Sequence, residues 1–293
     1  MAFLTGLNDG LLANSGKMLR PALCLLTAGA CGGINDESRN FAAAVEMLHN
    51  STLLHDDVAD ESDTRRGTPT VMSLYGAIPA VLLGDFWLSR TVALVVDSPS
   101  RDRALPRFAK TLSDLSEGEM LQQEKAFKGD TAEEDYLRII YCKTASLFEL
   151  SCACGAGSAG APQEQRDAAS KYGKFLGMAF QIRDDILDYT GSDLGKPVGM
   201  DLKERKITLP LLGALKGASD SSEIRSMLAS AGDHPENIAK INAFVNASGG
   251  IEYAQAVLRD YVSGAIDALS LFPPSEEKDF LEQVALINEI RSK

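Results

Sequence analysis

The sequence predicts an all-α protein. Apolar residues recur at helical spacing through almost the whole chain, and Ala and Leu dominate. No segment shows the alternating β-branched pattern of a strand. The breaks between periodic segments fall where Gly, Pro, Asp and Ser cluster: AGACGGINDES, VDSPSRDR, KGDT, AGAPQEQ and TGSDLGKPVG. None of these is a Pro- or Ser-rich linker and no low-complexity stretch occurs, so a single domain over 1–293 is expected.

In order along the chain, helices are expected over roughly 17–30, 38–62, 69–96, 101–126, 131–158, 163–190, 203–216, 221–230, 235–246, 250–271 and 275–292. Trp87 falls in the third of these and is expected in the core or on a dimer face. Glu133, Glu134 and Asp135 suit the first turn of a helix, where negative charge meets the positive end of the dipole. Cys152 and Cys154 read as core thiols. His234, before Pro235, reads as a loop residue at a helix start.

At 293 residues the chain is long enough for one large or two small domains, and 45% apolar with 24% charged residues is a globular composition. Acidic residues outnumber basic ones 41 to 29, a formal charge of -12. That charge repels phosphate backbones, so nucleic acid is not an expected partner. A phosphate ligand would need local cations or metal ions. The five cysteines lack C-x-x-C spacing and there are three histidines, which argues against a zinc site and a disulfide framework. A reducing, cytoplasmic setting fits. MAFLTGLNDG lacks a basic stretch followed by an apolar one, so no signal peptide is expected at that end. The longest uncharged run, Gly67 to Gly84, is broken by Pro69, Ser73, Gly76 and Pro79, so no transmembrane segment is expected.

One internal echo carries chemistry. HNSTLLHDDVAD (49–60) is matched by GMAFQIRDDILD (177–188), each a helix end carrying DDxxD. Offsets of three, four, seven and eleven share a helix face. His49, Thr52, Asp56 and Asp60 therefore form one stripe with Asp57 beside it, and Gln181, Asp184, Asp185 and Asp188 form the other. Such clustered like charges destabilise a helix unless something compensates them. Hard divalent cations do, since Mg²⁺ takes one or two carboxylates, water and substrate phosphates. The plainer reading, a solvated acidic helix end, serves for one motif and poorly for two with matched polar stripes upstream. Cations cluster nearby in a chain otherwise so acidic: Lys17 and Arg20, Arg65 and Arg66, Lys143 beside Thr144, and Lys196 and Lys206. They suggest two phosphate sites, one metal-bridged and one bound by Arg and Lys alone.

At these residues the sequence resembles the trans-isoprenyl diphosphate synthases, or polyprenyl synthetases. GKMLRP (16–21), LLHDDVADESDTRRGTPTV (53–71), KTA (143–145), FQIRDDILD (180–188) and GKPVGMDLKERKITLPL (195–211) stand in family order and spacing, and the likeness covers most of the chain. The resemblance implies an isoprenoid-synthase-type helical bundle around a deep central cavity, assembled as a homodimer. It implies isopentenyl diphosphate at Lys17, Arg20, His49 and Arg66. An allylic diphosphate would lie at Arg65, Lys143, Thr144, Gln181, Lys196 and Lys206. Several Mg²⁺ ions would be held mainly by Asp56, Asp60 and Asp184, with Asp57, Asp185 and Asp188 in support. Asp56, Asp60, Asp184, Lys143 and Lys196 would carry the catalytic role of drawing charge from the departing diphosphate. The loop KPVGMD (196–201) has the form of the polyprenyl branch. Only fifteen residues precede GKMLRP, fewer than the family's first helix usually takes, so that helix is expected to be short or trimmed.

An elongating product would pass the residues one turn before the first motif. Ser51 and Thr52 are small there, where large aromatics in the family end growth early, so a medium or long product of octaprenyl-synthase type is expected. Geranylgeranyl diphosphate is the alternative if deeper residues close the tunnel. A class I terpene cyclase is a lesser rival, since DDILD replaces the Asn/Asp-x-x-Ser/Thr-x-x-x-Glu pattern and Lys17, Arg20 and Arg66 would have no use. A di-iron bundle would need a second Glu-x-x-His besides Glu46 and His49, and none occurs further along. A non-catalytic partner subunit is disfavoured by two intact motifs.

Overall fold

Helices make up most of the residues described by a computed structural model of the chain, namely 2–13, 16–65, 67–191, 198–218 and 221–290. The chain divides into two compact units, Met1–Ala109 with Leu150–Arg166, and Lys110–Glu149 with Asp167–Lys293.

The first unit contains α1 (Ala2–Ala13), α2 (Leu19–Ala30), α3 (Asp36–Ala59), a hairpin of β1 (Thr64–Arg65) and β2 (Thr68–Pro69), α4 (Val71–Tyr75), α5 (Ala77–Val96) and the start of α6 (Arg101–Lys128). Asn35 opens α3 with a capping box: its Oδ1 accepts from Ser38 N at 2.9 Å, and Ser38 Oγ accepts from Asn35 N at 2.7 Å. Asp36 and Glu37 stand in the first turn. α3 packs on α2 and on α5, where Leu7, Leu54, Leu83 and Trp87 close a common cluster. Trp87 is 7% exposed, and its Nε1 donates to Asn8 Oδ1 at 2.8 Å. α1, which periodicity does not predict, is a twelve-residue helix with two glycines. It is anchored through Leu7 rather than by its own amphipathic pattern. Gly155 lets two backbones meet, since a Cβ there would lie 2.2 Å from Cys24 O.

The second unit holds the rest of α6, α7 (Glu133–Ile140), a π-helical segment (Tyr141–Ala145) and the start of α8 (Ser146–Ser158). It continues with most of α9 (Gln163–Thr190), α10 (Met200–Lys203), α11 (Leu209–Lys216), α12 (Ser222–Ala229), α13 (Pro235–Ala247), α14 (Gly250–Ala268) and α15 (Glu276–Ile290). A 3₁₀ turn, Leu269–Leu271, succeeds α14. Glu133 to Asp135 do form a first turn, with Asp135 accepting from Ala132 N at 2.9 Å. His234 and Pro235 do open a helix.

Three expected helices are interrupted. The 69–96 stretch breaks at Gly76, which takes φ 88. The 203–216 stretch begins earlier, stops at Lys203 and resumes at Leu209 after Arg205 takes φ 60. The 131–158 stretch is helical without a gap from Glu133 to Ser158 but widens at Tyr141–Ala145, where the i→i+5 hydrogen bonding of a π segment replaces α geometry.

Candidate active site

α3 delivers the first aspartate motif on its last turn. Asp56 is half-buried, Asp57 is 5% exposed, and Asp60 closes the helix in an exposed position. Glu61 then takes φ 48 and Gly67 takes φ 78, so the chain folds back as the small hairpin. This return sets Arg65 Nε 2.7 Å from Asp57 Oδ1, where it donates to the carboxylate. Thr70 Oγ1 donates to Ser62 O at 2.7 Å, and Ser62 N donates to Asp57 O at 2.9 Å, fixing the hairpin base. Asp57 and Arg65, expected to serve metal and diphosphate, thus serve each other here. Arg66 lies outside the described residues.

Upstream on α3, His49 is half-buried and its carbonyl accepts from Thr52 Oγ1 at 2.8 Å. Ser51 is 1% exposed and donates to Gly84 O on α5 at 2.9 Å. It therefore occupies the α3–α5 contact. Lys17 is exposed in the turn before α2, and Arg20 is half-buried in that helix's first turn.

In the second unit, α9 carries the second motif. Asp184 is half-buried with a side chain 44% exposed. Asp185 is buried, accepting from Tyr136 Oη at 2.6 Å and from Gln181 Nε2 at 2.8 Å. Gln181 Oε1 in turn accepts from Thr144 Oγ1 at 2.8 Å. Burial, with Asp201 nearby, raises the Asp185 carboxyl well above the usual range despite the Tyr136 and Gln181 bonds. Asp188 accepts from Met200 N and Asp201 N, both at 3.1 Å, and so caps the start of α10. Its pKa is also raised, by burial that outweighs those backbone bonds. Lys143, in the π segment, is ion-paired with Glu119 of α6, and Lys206 with Glu204. The Lys206 ammonium loses stability through burial, but Glu204 and Asp201 more than restore it, and its pKa is raised. Lys196 lies outside the described residues.

Three functional candidates escaped sequence reasoning: Asp201, Glu119 and Tyr136. Asp201 is pushed up to about 6 by burial and by Asp188, against the pull of Lys206. It sits in GMDLKERK, where its position after the second motif was the available signal. Glu119 and Tyr136 carried no local signal. Among the described residues, no three Asp, Glu, His or Cys groups converge closely enough to hold a metal ion alone. The donors present are carboxylate oxygens, the choice of a hard cation that completes its shell with water and phosphate. The raised pKa values of Asp201 and Asp188 mark concentrated negative charge that such a cation would relieve. The donor set therefore fits Mg²⁺.

Helices throughout, with aspartate turns on two of them, define an isoprenoid-synthase fold. The model of the polyprenyl synthetase family matches residues 2–247, and the chain belongs to that family; it is a prenyltransferase, a trans-polyprenyl diphosphate synthase. The all-trans-nonaprenyl-diphosphate synthase (geranyl-diphosphate specific) of Rhodobacter capsulatus is 38% identical over 286 residues, 96% of this chain and 87% of that protein. The crystal structure of a decaprenyl diphosphate synthase from the same organism superposes with a TM-score of 0.92 at 35% identity, covering 99% of this chain and 90% of that one. A polyprenyl synthase from Caulobacter crescentus CB15, complexed with calcium and isoprenyl diphosphate, gives 0.89 at 35% identity over 100% and 90%.

Proposed function

We propose that this protein condenses isopentenyl diphosphate head-to-tail onto an allylic diphosphate, with Mg²⁺, to make an all-trans polyprenyl diphosphate of about C30 or longer. The observation that carries the reading is the pair of aspartate motifs in a chain so similar to a nonaprenyl diphosphate synthase. The Caulobacter protein's complex with calcium and isoprenyl diphosphate supports a divalent cation and a prenyl diphosphate as the ligands.

In this reading Asp56 and Asp60 on α3 and Asp184 on α9 present the oxygens that hold Mg²⁺. Mg²⁺ held there would supply positive charge that weakens the allylic carbon–oxygen bond. Lys143, Lys196 and Lys206 add fixed cationic charge for the leaving diphosphate, and Arg65 is positioned for it by Asp57. Lys17, Arg20, His49 and Arg66 hold the diphosphate of isopentenyl diphosphate, leaving its double bond to attack the allylic cation. Proton loss to the departing diphosphate restores a double bond. No side-chain nucleophile is needed.

A homodimer is part of the proposal. α4 and α5 expose Leu74, Tyr75, Ile78, Leu82 and Val92 at 49–75%. That apolar strip is what a second copy would cover. By length and composition α5 is also long and apolar enough to cross a membrane, but it packs along α3. Four of the five free thiols are buried, in keeping with a cytoplasmic location.

The test is incubation of purified protein with Mg²⁺, labelled isopentenyl diphosphate and farnesyl diphosphate, with products sized by mass spectrometry. A ladder reaching about thirty carbons or beyond supports the proposal. Termination at twenty replaces it with geranylgeranyl diphosphate synthesis, and absence of condensation overturns it. Sedimentation of Leu82→Glu should shift the protein towards monomer, and an unchanged assembly would remove α5 from the dimer face.

A further inference from the structure

Tyr136 has no part in any assigned subsite, yet its hydroxyl meets the middle aspartate of the second motif. It is 2% exposed on α7, and its hydroxyl reaches Asp185 Oδ2 at 2.6 Å. The other oxygen, Oδ1, accepts from Gln181 at 2.8 Å, and Gln181 accepts from Thr144 at 2.8 Å. Tyr136 precedes the π segment Tyr141–Ala145 and Thr144 lies within it. One carboxylate on α9 therefore reaches α7 directly, at Tyr136, and the π segment itself through Gln181 and Thr144.

A π turn has weaker internal hydrogen bonding than an α turn and persists where its surroundings hold it. Here the surroundings are close. A Cβ on Gly177 would lie 2.5 Å from Ala145 Cα, so α9 presses on the segment backbone to backbone, and one on Gly173 would lie 2.5 Å from Phe148 O in α8 just after it. Lys143, the cation this segment carries, faces Glu119. Both oxygens of Asp185 are committed to protein donors inside the fold, which leaves it poorly placed to ligate an ion.

We propose that Tyr136 is a positioning residue for prenyl transfer. Through Asp185 it holds the π segment in the register that presents Lys143 to the allylic diphosphate, and Asp185 is the hub of this tether rather than a metal ligand. The inference rests on the proposed function for what Lys143 meets; the tether itself does not.

The test compares Tyr136→Phe, Thr144→Val, Asp185→Asn and Asp184→Asn with the parent enzyme. Hydrogen exchange by mass spectrometry, without metal or substrate, should quicken about tenfold across 136–148 in Tyr136→Phe and less in Thr144→Val, with peptides from α3 unchanged. Turnover of Tyr136→Phe should fall about ten- to a hundredfold, the scale of leaving one buried acceptor without its donor, while the Mg²⁺ concentration for half-activation stays put. Asp184→Asn should raise that concentration, and Asp185→Asn should not. Unchanged exchange in both tether variants overturns the tether. A rise in the Mg²⁺ requirement for Asp185→Asn equal to that for Asp184→Asn overturns the hub. If the parent enzyme condenses nothing, the functional reading fails while the exchange result still decides the tether. Thr144→Val keeps the tether testable should Tyr136→Phe fail to fold.

Discussion

On α3 the third aspartate of the motif, Asp60, ends the helix and stands exposed, whereas on α9 its counterpart, Asp188, accepts two backbone N–H bonds from the start of α10. The leading aspartates are alike, Asp56 and Asp184 both half-buried. So are the middle ones, Asp57 at 5% and Asp185 at 3% exposure, each bonded within its own unit. One five-residue pattern thus meets different partners in its two copies: the middle aspartate takes a guanidinium on α3 but a phenol and an amide on α9, and the third aspartate of α9 accepts from the start of α10. Part of the difference arises from the chain downstream of each motif. After Asp60 the chain turns back as a hairpin and returns Arg65 to the middle aspartate. After Asp188 the helix continues to Thr190, and the chain comes back as α10 onto the third aspartate.

If the leading positions are equivalent, Asp56→Ala and Asp184→Ala should each lower turnover by about two to three orders of magnitude, the scale of losing one preorganised electrostatic contributor. Far-ultraviolet circular dichroism should be unchanged in both. Near-normal turnover in either would break the equivalence and the metal assignment with it.

The middle positions should differ in kind from the leading ones. Removing Arg65 leaves Asp57 buried without its guanidinium, a cost of about 1–3 kcal/mol once the 37% exposure of the Arg65 side chain is allowed for. Arg65→Gln should therefore lower the urea midpoint, and adding Asp57→Asn should return part of the loss. Additive losses in the double mutant would show that the pair is not coupled.

The motifs were legible in the sequence because both lie on helices, where spacing alone places side chains on a face. Lys17, Arg20, Lys143 and Lys206 were legible for their sign, in a chain of -12. Partnerships were not legible. Tyr136 and Asp185 are 49 residues apart, and nothing around Tyr136 marks it as a donor to that carboxylate. The π segment was hidden because YCKTA is compatible with an α-helix, and its close neighbour, Gly177, comes from another helix. The helical periodicity of α1 was diluted by two glycines, and its anchor, Leu7, is understood only beside Leu54 and Trp87.

At the third position the expected contrast is smaller. Asp188→Ala removes a cap worth about 1 kcal/mol, which in a chain of 293 residues is a fall of about 2 °C in Tm. Asp60→Ala should reduce activity as a loss of metal-holding oxygens. A melting temperature of Asp188→Ala equal to the parent's would mean that α10 does not depend on Asp188.

The faintest effect tests the stretch leading into the first motif. Ser51 is one turn before Asp56, where a small residue suits a long product, yet its side chain lies in the α3–α5 contact and bonds to Gly84 O at 2.9 Å. Ser51→Ala loses that one bond, about 1 kcal/mol, and leaves the space unfilled, so product length should not change. Ser51→Phe must find room against α5, at about 1–3 kcal/mol. If it folds and its products shorten on mass spectrometry, the side chain has turned into the path of the growing chain. If it is destabilised but makes products of unchanged length, Ser51 belongs to helix packing, and the control of length moves to residues deeper along the fold.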